Sequence, residues 1–306
     1  MKRIFIAFNC IFLSVLTSAD LLADEGRLAV IYPKPASNSD IRDQYFYELL
    51  TLALEKSAQK YGAYQLRNGD FVIPSSRIPK EVRKGKYLNI MTSPDSTELS
   101  ESMLAIPIPL VKGIQGIRLM LVKNNQVDRL AKINDFVELK TLNFGQGAGW
   151  LDKLIFEDAG LLVTPVTDYN SLFKMLNAER FDAFPRGINE IYREHRLLSQ
   201  EYPEMKVDNA LLIYYDLPVY FFVAKDNQGL KERIEFGLIK AINDGSFDRL
   251  FNQYFGVAIK QANLEKRKLF HLNNPFVSKI NKNHNKKYWL PFILKNFDHN
   301  HLTAEQ

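Results

Sequence analysis

With Cys10 as its only cysteine, the chain can form no internal disulfide and no thiolate metal site. Histidine is scarce: of the five, His271, His284, His299 and His301 all fall near the C-terminus. The run Asp298-His299-Asn300-His301 has no firm metal-ligand spacing, and His195 reads as a surface residue beside Glu194 and Arg196. No Gly-Xaa-Ser-Xaa-Gly, no His-Glu-Xaa-Xaa-His and no phosphate-binding lysine loop occurs. These absences point away from common hydrolase, zinc-protease and nucleotide chemistries, and the expectation is a non-enzyme with no cofactor and no metal. Long apolar runs are lacking too. The longest, Ile4 to Leu16, is about a dozen residues, against roughly 20 for a bilayer span.

That run does have a reading. Lys2 and Arg3 precede it, small residues follow it, and Asp24 and Glu25 restore charge at once. This is the pattern of a secretory signal peptide over 1–23, cleaved after Ala19 or Ala23, and it implies a periplasmic protein. Cys10 lies inside the apolar run, not at the end of a lipoprotein box. Without disulfides, the exported chain must be stabilised by burial alone.

The basic balance is uneven. After Gly256, nine lysines and arginines face three acids, about +6, which leaves the globular body close to neutral. No nucleic-acid partner is expected of such a body. The tail is read as a basic extension over 257–306, loosely ordered through Lys279-Ile280-Asn281-Lys282-Asn283-His284-Asn285-Lys286-Lys287. Its aromatic part, Lys286-Lys287-Tyr288-Trp289, could contact a membrane receptor or strap the first lobe.

Along the body the apolar period alternates between strand and helix, an α/β pattern. Leu28–Tyr32 reads as a buried first strand, Ser37-Asn38-Ser39-Asp40 as helix N-cap residues, and the following helix runs to about Tyr61. Phe71–Ile73 and Phe181–Phe184 read as strands, and Gly187–Glu201 as a helix. Two similar β-prone runs, Gly116–Lys123 and Pro218–Lys225, bracket a self-contained series of strands and helices. A domain inserted between two such strands gives two lobes with a hinge. The expected boundaries are lobe 1 over 24–117 and 220–256, and lobe 2 over 118–219.

Four landmarks in this order resemble the type 2 periplasmic solute-binding proteins of the polar amino-acid class (bacterial extracellular solute-binding protein family 3). They are the opening strand and helix, Gly85–Glu98 (GKYLNIMTSPDSTE), Phe144–Asp152 (FGQGAGWLD) and Asn177–Phe184 (NAERFDAF), with a similar closing pattern over Ile242–Phe255. The resemblance implies a type 2 periplasmic-binding-protein-like fold, each lobe a mixed sheet flanked by helices and joined by a two-strand hinge. It also implies capture of a small molecule between the lobes.

The departures bear on the ligand. Where the family carries an arginine for the ligand's α-carboxylate, this chain has Leu99. Where its glycine loop ends in Ser or Thr, this chain has Trp150, and where an Asp meets the ligand's ammonium, it has Gly187. An ordinary α-amino acid is therefore not the expected ligand. The candidate ligand-binding residues are Tyr32, Thr92, Ser93, Asp95, Gly147, Gly149, Trp150 and Arg186. Arg186, read in a turn before a helix, suits an anion, or else pairs inside the lobe with Glu190 or Asp182. Gly147 and Gly149 let backbone amides approach a ligand or form a plain turn. Trp150 is an aromatic wall or a packing residue, and Thr92, Ser93 and Asp95 are ligand contacts or turn chemistry. Asp152 reads as a helix-dipole partner, and Tyr169 and Asp216 as cleft-edge positions.

The expected function is capture of a small polar or anionic ligand by a monomer, delivered to an inner-membrane transporter or receptor for ABC-type uptake. The alternative is a sensing or partner-binding module of the same fold. A cleft lyase using Glu190 or Asp152 as base is the enzyme alternative.

Overall fold

The structure, a computed structural model, describes residues 27–35, 41–278 and 288–296. The signal segment, the N-cap run 36–40, the lysine-rich run 279–287 and His299 and His301 lie outside the described residues.

Lobe 1 is built on five strands. β1 (Leu28–Tyr32) pairs in parallel with β2 (Tyr64–Asn68). β3 (Ile90–Pro94) and β4 (Met103–Ile106) flank β11 (Val219–Ala224), both antiparallel to it. The two sub-sheets are joined through Asn89. Its side chain accepts from Ile31 N at 2.8 Å and donates to Ala29 O at 2.7 Å, while its own N–H reaches Ile31 O at 3.1 Å. A side-chain amide here continues the ladder where backbone pairing stops. Helices Ile41–Tyr61 and Gln228–Asn243 cover one face, bringing Tyr45, Leu49, Ala53, Ile234 and Leu238 into the core. They approach so closely at Gly237 that a Cβ there would overlap the Ala53 carbonyl.

Lobe 2 has the strand order β12-β10-β5-β8-β6-β7, with β9 (Met205–Val207) also on β5. β5 (Ile117–Lys123) and β8 (Ala183–Gly187) are antiparallel; β8, β6 (Asn143–Gly147) and β7 (Leu162–Val166) run parallel. β10 (Leu211–Tyr214) pairs antiparallel with β5 and parallel with β12 (Lys268–His271). Helix Leu151–Asp158 packs Ile155 and Phe156 on one face against Phe144, and helix Tyr169–Asn177 packs Phe173 on the other against Phe184.

The chain passes between the sheets at 107–116 and 215–218, just before the two similar strands. The passages touch where Tyr215 N donates to Gly116 O; Gly116 has no room for a Cβ beside the Tyr215 carbonyl.

Several local expectations need correction. Phe71–Ile73 forms no strand: Phe71 and Val72 are half exposed, in the loop before helix Ile78–Lys84. The strand expected at Phe181–Phe184 is Ala183–Gly187, and the following helix is only Ile191–Leu198. Thr92 and Ser93, read as ligand contacts or turn residues, lie within β3, and Thr97–Ser102 is helical, capped by Ser96. Past Gly256 a helix continues to Ala262 and β12 follows, so the boundary expected at 257 falls inside a helix; the run expected to be loosely ordered lies outside the described residues.

Candidate functional site

At the C-terminal end of β1, Tyr32 is buried and its hydroxyl meets Thr92 Oγ1 of β3 at 2.6 Å. Burial, resisted by the Thr92 hydrogen bond, raises the Tyr32 hydroxyl well above its ordinary pKa, so it stays a neutral donor and acceptor. Ser93, half-buried, lies next on β3, opposite Tyr220. Asp95 does not join this group. It is wholly buried, accepting from Ser100 Oγ at 2.7 Å and from Ser278 N at 3.2 Å, and it ties the loop to the C-terminal extension.

At the strand ends of lobe 2, Trp150, Gly147 and Arg186 come together. Arg186 stands within β8, opposite Leu119, and not in a turn before a helix. Its guanidinium forms a two-point pair with Glu194, Nε to Oε2 at 2.7 Å and Nη2 to Oε1 at 2.6 Å, and meets Glu190 at 2.9 Å. The rings of Trp150, Phe184 and Tyr169 surround it at 5.0, 5.1 and 5.7 Å. Burial opposes its charge, but the two glutamates outweigh burial and hold its pKa above the ordinary value. The intralobe pairing with Glu190 is thus the observed one; Asp182 instead pairs with Arg129.

The glycine loop has a local cause. Gly145 makes room for the Phe181 ring and Gly147 for the Trp150 indole, which stacks over Phe184 at 6.2 Å. These two glycines accommodate the protein's own rings. A side chain at Gly149 would meet nothing within 4 Å. The exposed Tyr169 donates to Glu194 at 2.6 Å, and Asp216 accepts from Tyr214 at 3.1 Å.

Two features escaped the sequence reading. Arg118, 5% exposed, pairs with Asp152, which also accepts from the Tyr215 hydroxyl; the guanidinium lies 5.0 Å from the Tyr215 ring. Burial alone would raise the Asp152 carboxyl, but Arg118, the Tyr215 hydrogen bond and Arg186 together more than offset it and its pKa is lowered. A charge inside the apolar run Ile117–Lys123 was the available signal. The second is Gln146, wholly buried at the end of β6, whose amide nitrogen and oxygen find no partner among the described residues. By strand alternation it shares the Phe144 face, and a lone Gln between two glycines was its only mark.

No family model matches the sequence, and no curated protein matches it either. Solved structures match by shape. The probable amino-acid ABC transporter extracellular-binding protein ytmK from Bacillus subtilis superposes with a TM-score of 0.53 at 17% identity, covering 75% of this chain and 97% of that one. YCKB from Bacillus subtilis gives a TM-score of 0.51 at 14% identity, covering 82% and 99%. This chain has the two-lobed α/β fold of the extracellular solute-binding proteins.

In that fold, the positions where this sequence departs from the amino-acid binders take on interior duties. Leu99, 9% exposed, turns into the small core beside Met91 and Phe222. At Gly187 a Cβ would crowd Asn189 Oδ1 at 2.6 Å. Among the described residues there is no helix long and apolar enough to cross a membrane and no cluster of three metal-ligating side chains.

Proposed function

We propose that this chain is a non-catalytic, exported solute-binding protein that holds a small polar ligand between its lobes, with Gln146 as a principal contact. The observation that carries this reading is the partnerless Gln146 amide at the carboxyl end of a parallel strand, where open α/β sheets bind ligands. Leaving such a group unsatisfied costs about 1–3 kcal/mol, which a polar ligand or an ordered water recovers. Tyr32, Thr92 and Ser93 supply hydroxyls from lobe 1, and Trp150 and Gly149 border the lobe 2 side. Arg186 and Arg118 are countered by Glu190, Glu194 and Asp152, three carboxylates against two guanidinium groups. That balance favours a neutral or ammonium-bearing solute over the anion that Arg186 alone suggests. It also makes Asp152, held ionised by Arg118, a poor proton acceptor for an elimination.

A thermal-shift screen of amino acids, organic acids, sugars, peptides and polyamines tests the reading; a ligand at 100-fold its Kd adds about 2.7 kcal/mol. With a hit in hand, Gln146→Leu separates contact from filler. A contact loses affinity at least tenfold with stability held or raised, whereas a filler gains stability and leaves affinity alone. A blank screen moves the weight to a sensing module that requires its protein partner; delivery to an ABC transporter is the preferred role.

A further inference from the structure

Beyond the helix Ser246–Ala262, which packs Phe247, Phe251 and Phe255 into lobe 1, the chain visits both lobes again. Arg267 enters lobe 2 first. Its buried guanidinium donates to Ala262 O at 2.7 Å, to Asp208 O at 2.6 Å and to Leu211 O at 3.0 Å. β12 then adds an edge strand to β10. Within a few residues the chain is back on lobe 1: Phe276 O accepts from Thr97 N at 3.3 Å, and Ser278 N donates to Asp95 Oδ2 at 3.2 Å. Between these anchors Asn274 donates to Asp216 O at 2.8 Å, on the second passage between the sheets. The described end of the extension covers the first passage: Leu290 N donates to Lys112 O at 3.0 Å, and Trp289 and Ile293 close over Gly113. Trp289 also meets Tyr214 edge-on at 6.3 Å.

We propose that the C-terminal extension is a brace across the hinge, which restrains rotation of one lobe against the other and so regulates access to the site. Its purpose rests on the solute-binding reading above; its mechanics do not. Two adjacent passages, touching at Gly116 and Tyr215, define an axis about which lobes can turn. The brace adds a third connection, anchored in the lobe 2 sheet at one end and on Asp95 and Thr97 of lobe 1 at the other, with further contacts on both passages. Rotation that separates Phe276 from Thr97, or Trp289 from Gly113, breaks hydrogen bonds and exposes buried apolar surface together, so the unliganded chain stays near one interlobe geometry.

The test is an interlobe distance read without any ligand. Spin labels go on Val72→Cys in lobe 1 and Val137→Cys in lobe 2, 50% and 76% exposed, in a Cys10→Ser background. Pulsed EPR should give one narrow distribution for the full chain. Stopping the chain after His271 should add a second, longer population. If that truncation no longer melts cooperatively, the double variant Thr97→Pro/Trp289→Ala replaces it. Proline suits the first position of helix Thr97–Ser102 and removes only the N–H that Phe276 accepts. A full chain that is already broad, or a braceless chain as narrow as the full one, overturns the proposal. A broadened truncation beside a blank ligand screen keeps the brace and removes the capture; a ligand hit with an unchanged distribution does the reverse.

Discussion

The two lobes bring their strand ends to the site with different chemistry. Lobe 1 presents hydroxyls at its strand ends and meets its buried charges with neutral partners: Tyr32 is held by Thr92, Asp95 accepts from Ser100 and Ser278, and Arg233 is satisfied by Ser57 and by the carbonyls of Tyr61 and Gly62 at a helix end. Lobe 2 ends in two guanidinium–carboxylate clusters on opposite faces of its sheet, each backed by aromatic rings. A carbonyl or hydroxyl partner costs little to bury. An ion pair is desolvated on both sides, and removing one member strands the other. Lobe 2 should therefore be the lobe sensitive to single charge deletions and to pH.

The largest expected effect is from Asp152→Ala. It leaves Arg118 buried against the carbonyls of Gln115 and Ile117, and should lower stability by about 3–5 kcal/mol in a denaturant titration. A loss under 1 kcal/mol would erase the contrast between the lobes. Acid sensitivity comes next. The Asp152 carboxyl has a lower pKa folded than unfolded, so its stabilisation is complete above the unfolded value of about 3.9 and is lost as pH falls through the lowered folded value. The melting temperature of the native chain should thus fall more steeply below about pH 4 than that of Asp152→Asn. Smallest is Tyr32→Phe in lobe 1, which removes one neutral hydrogen bond and should cost about 1 kcal/mol with no change in acid sensitivity.

How much of the site was legible follows from what each residue needs. Trp150 stood out because it replaces a small residue at the end of a glycine loop, and Arg186 because it reads as a guanidinium in a turn before a helix; the structure puts Arg186 in a strand and brings both together with Gly147. Their partners were less visible. Glu194 lies eight residues from Arg186 and Asp152 lies 34 from Arg118, separations that no local pattern reports. Asp95 was placed with the ligand loop on position alone, and its engagement by Ser278, 183 residues away, takes it out of that set. β12 was missed because Lys268–His271 is only four residues long with a polar residue at each end, and becomes a strand only where the exposed edge of β10 offers parallel partners.

By itself, the sequence determined the α/β alternation, the two lobes, and the first strand and long helix, because hydrophobic period and turn chemistry are local properties of the chain. Tertiary structure alone decided which charges neutralise one another, which glycines make room for rings, and that the extension returns across both lobes. Each of these depends on groups brought together from distant positions, and burial sets their energies.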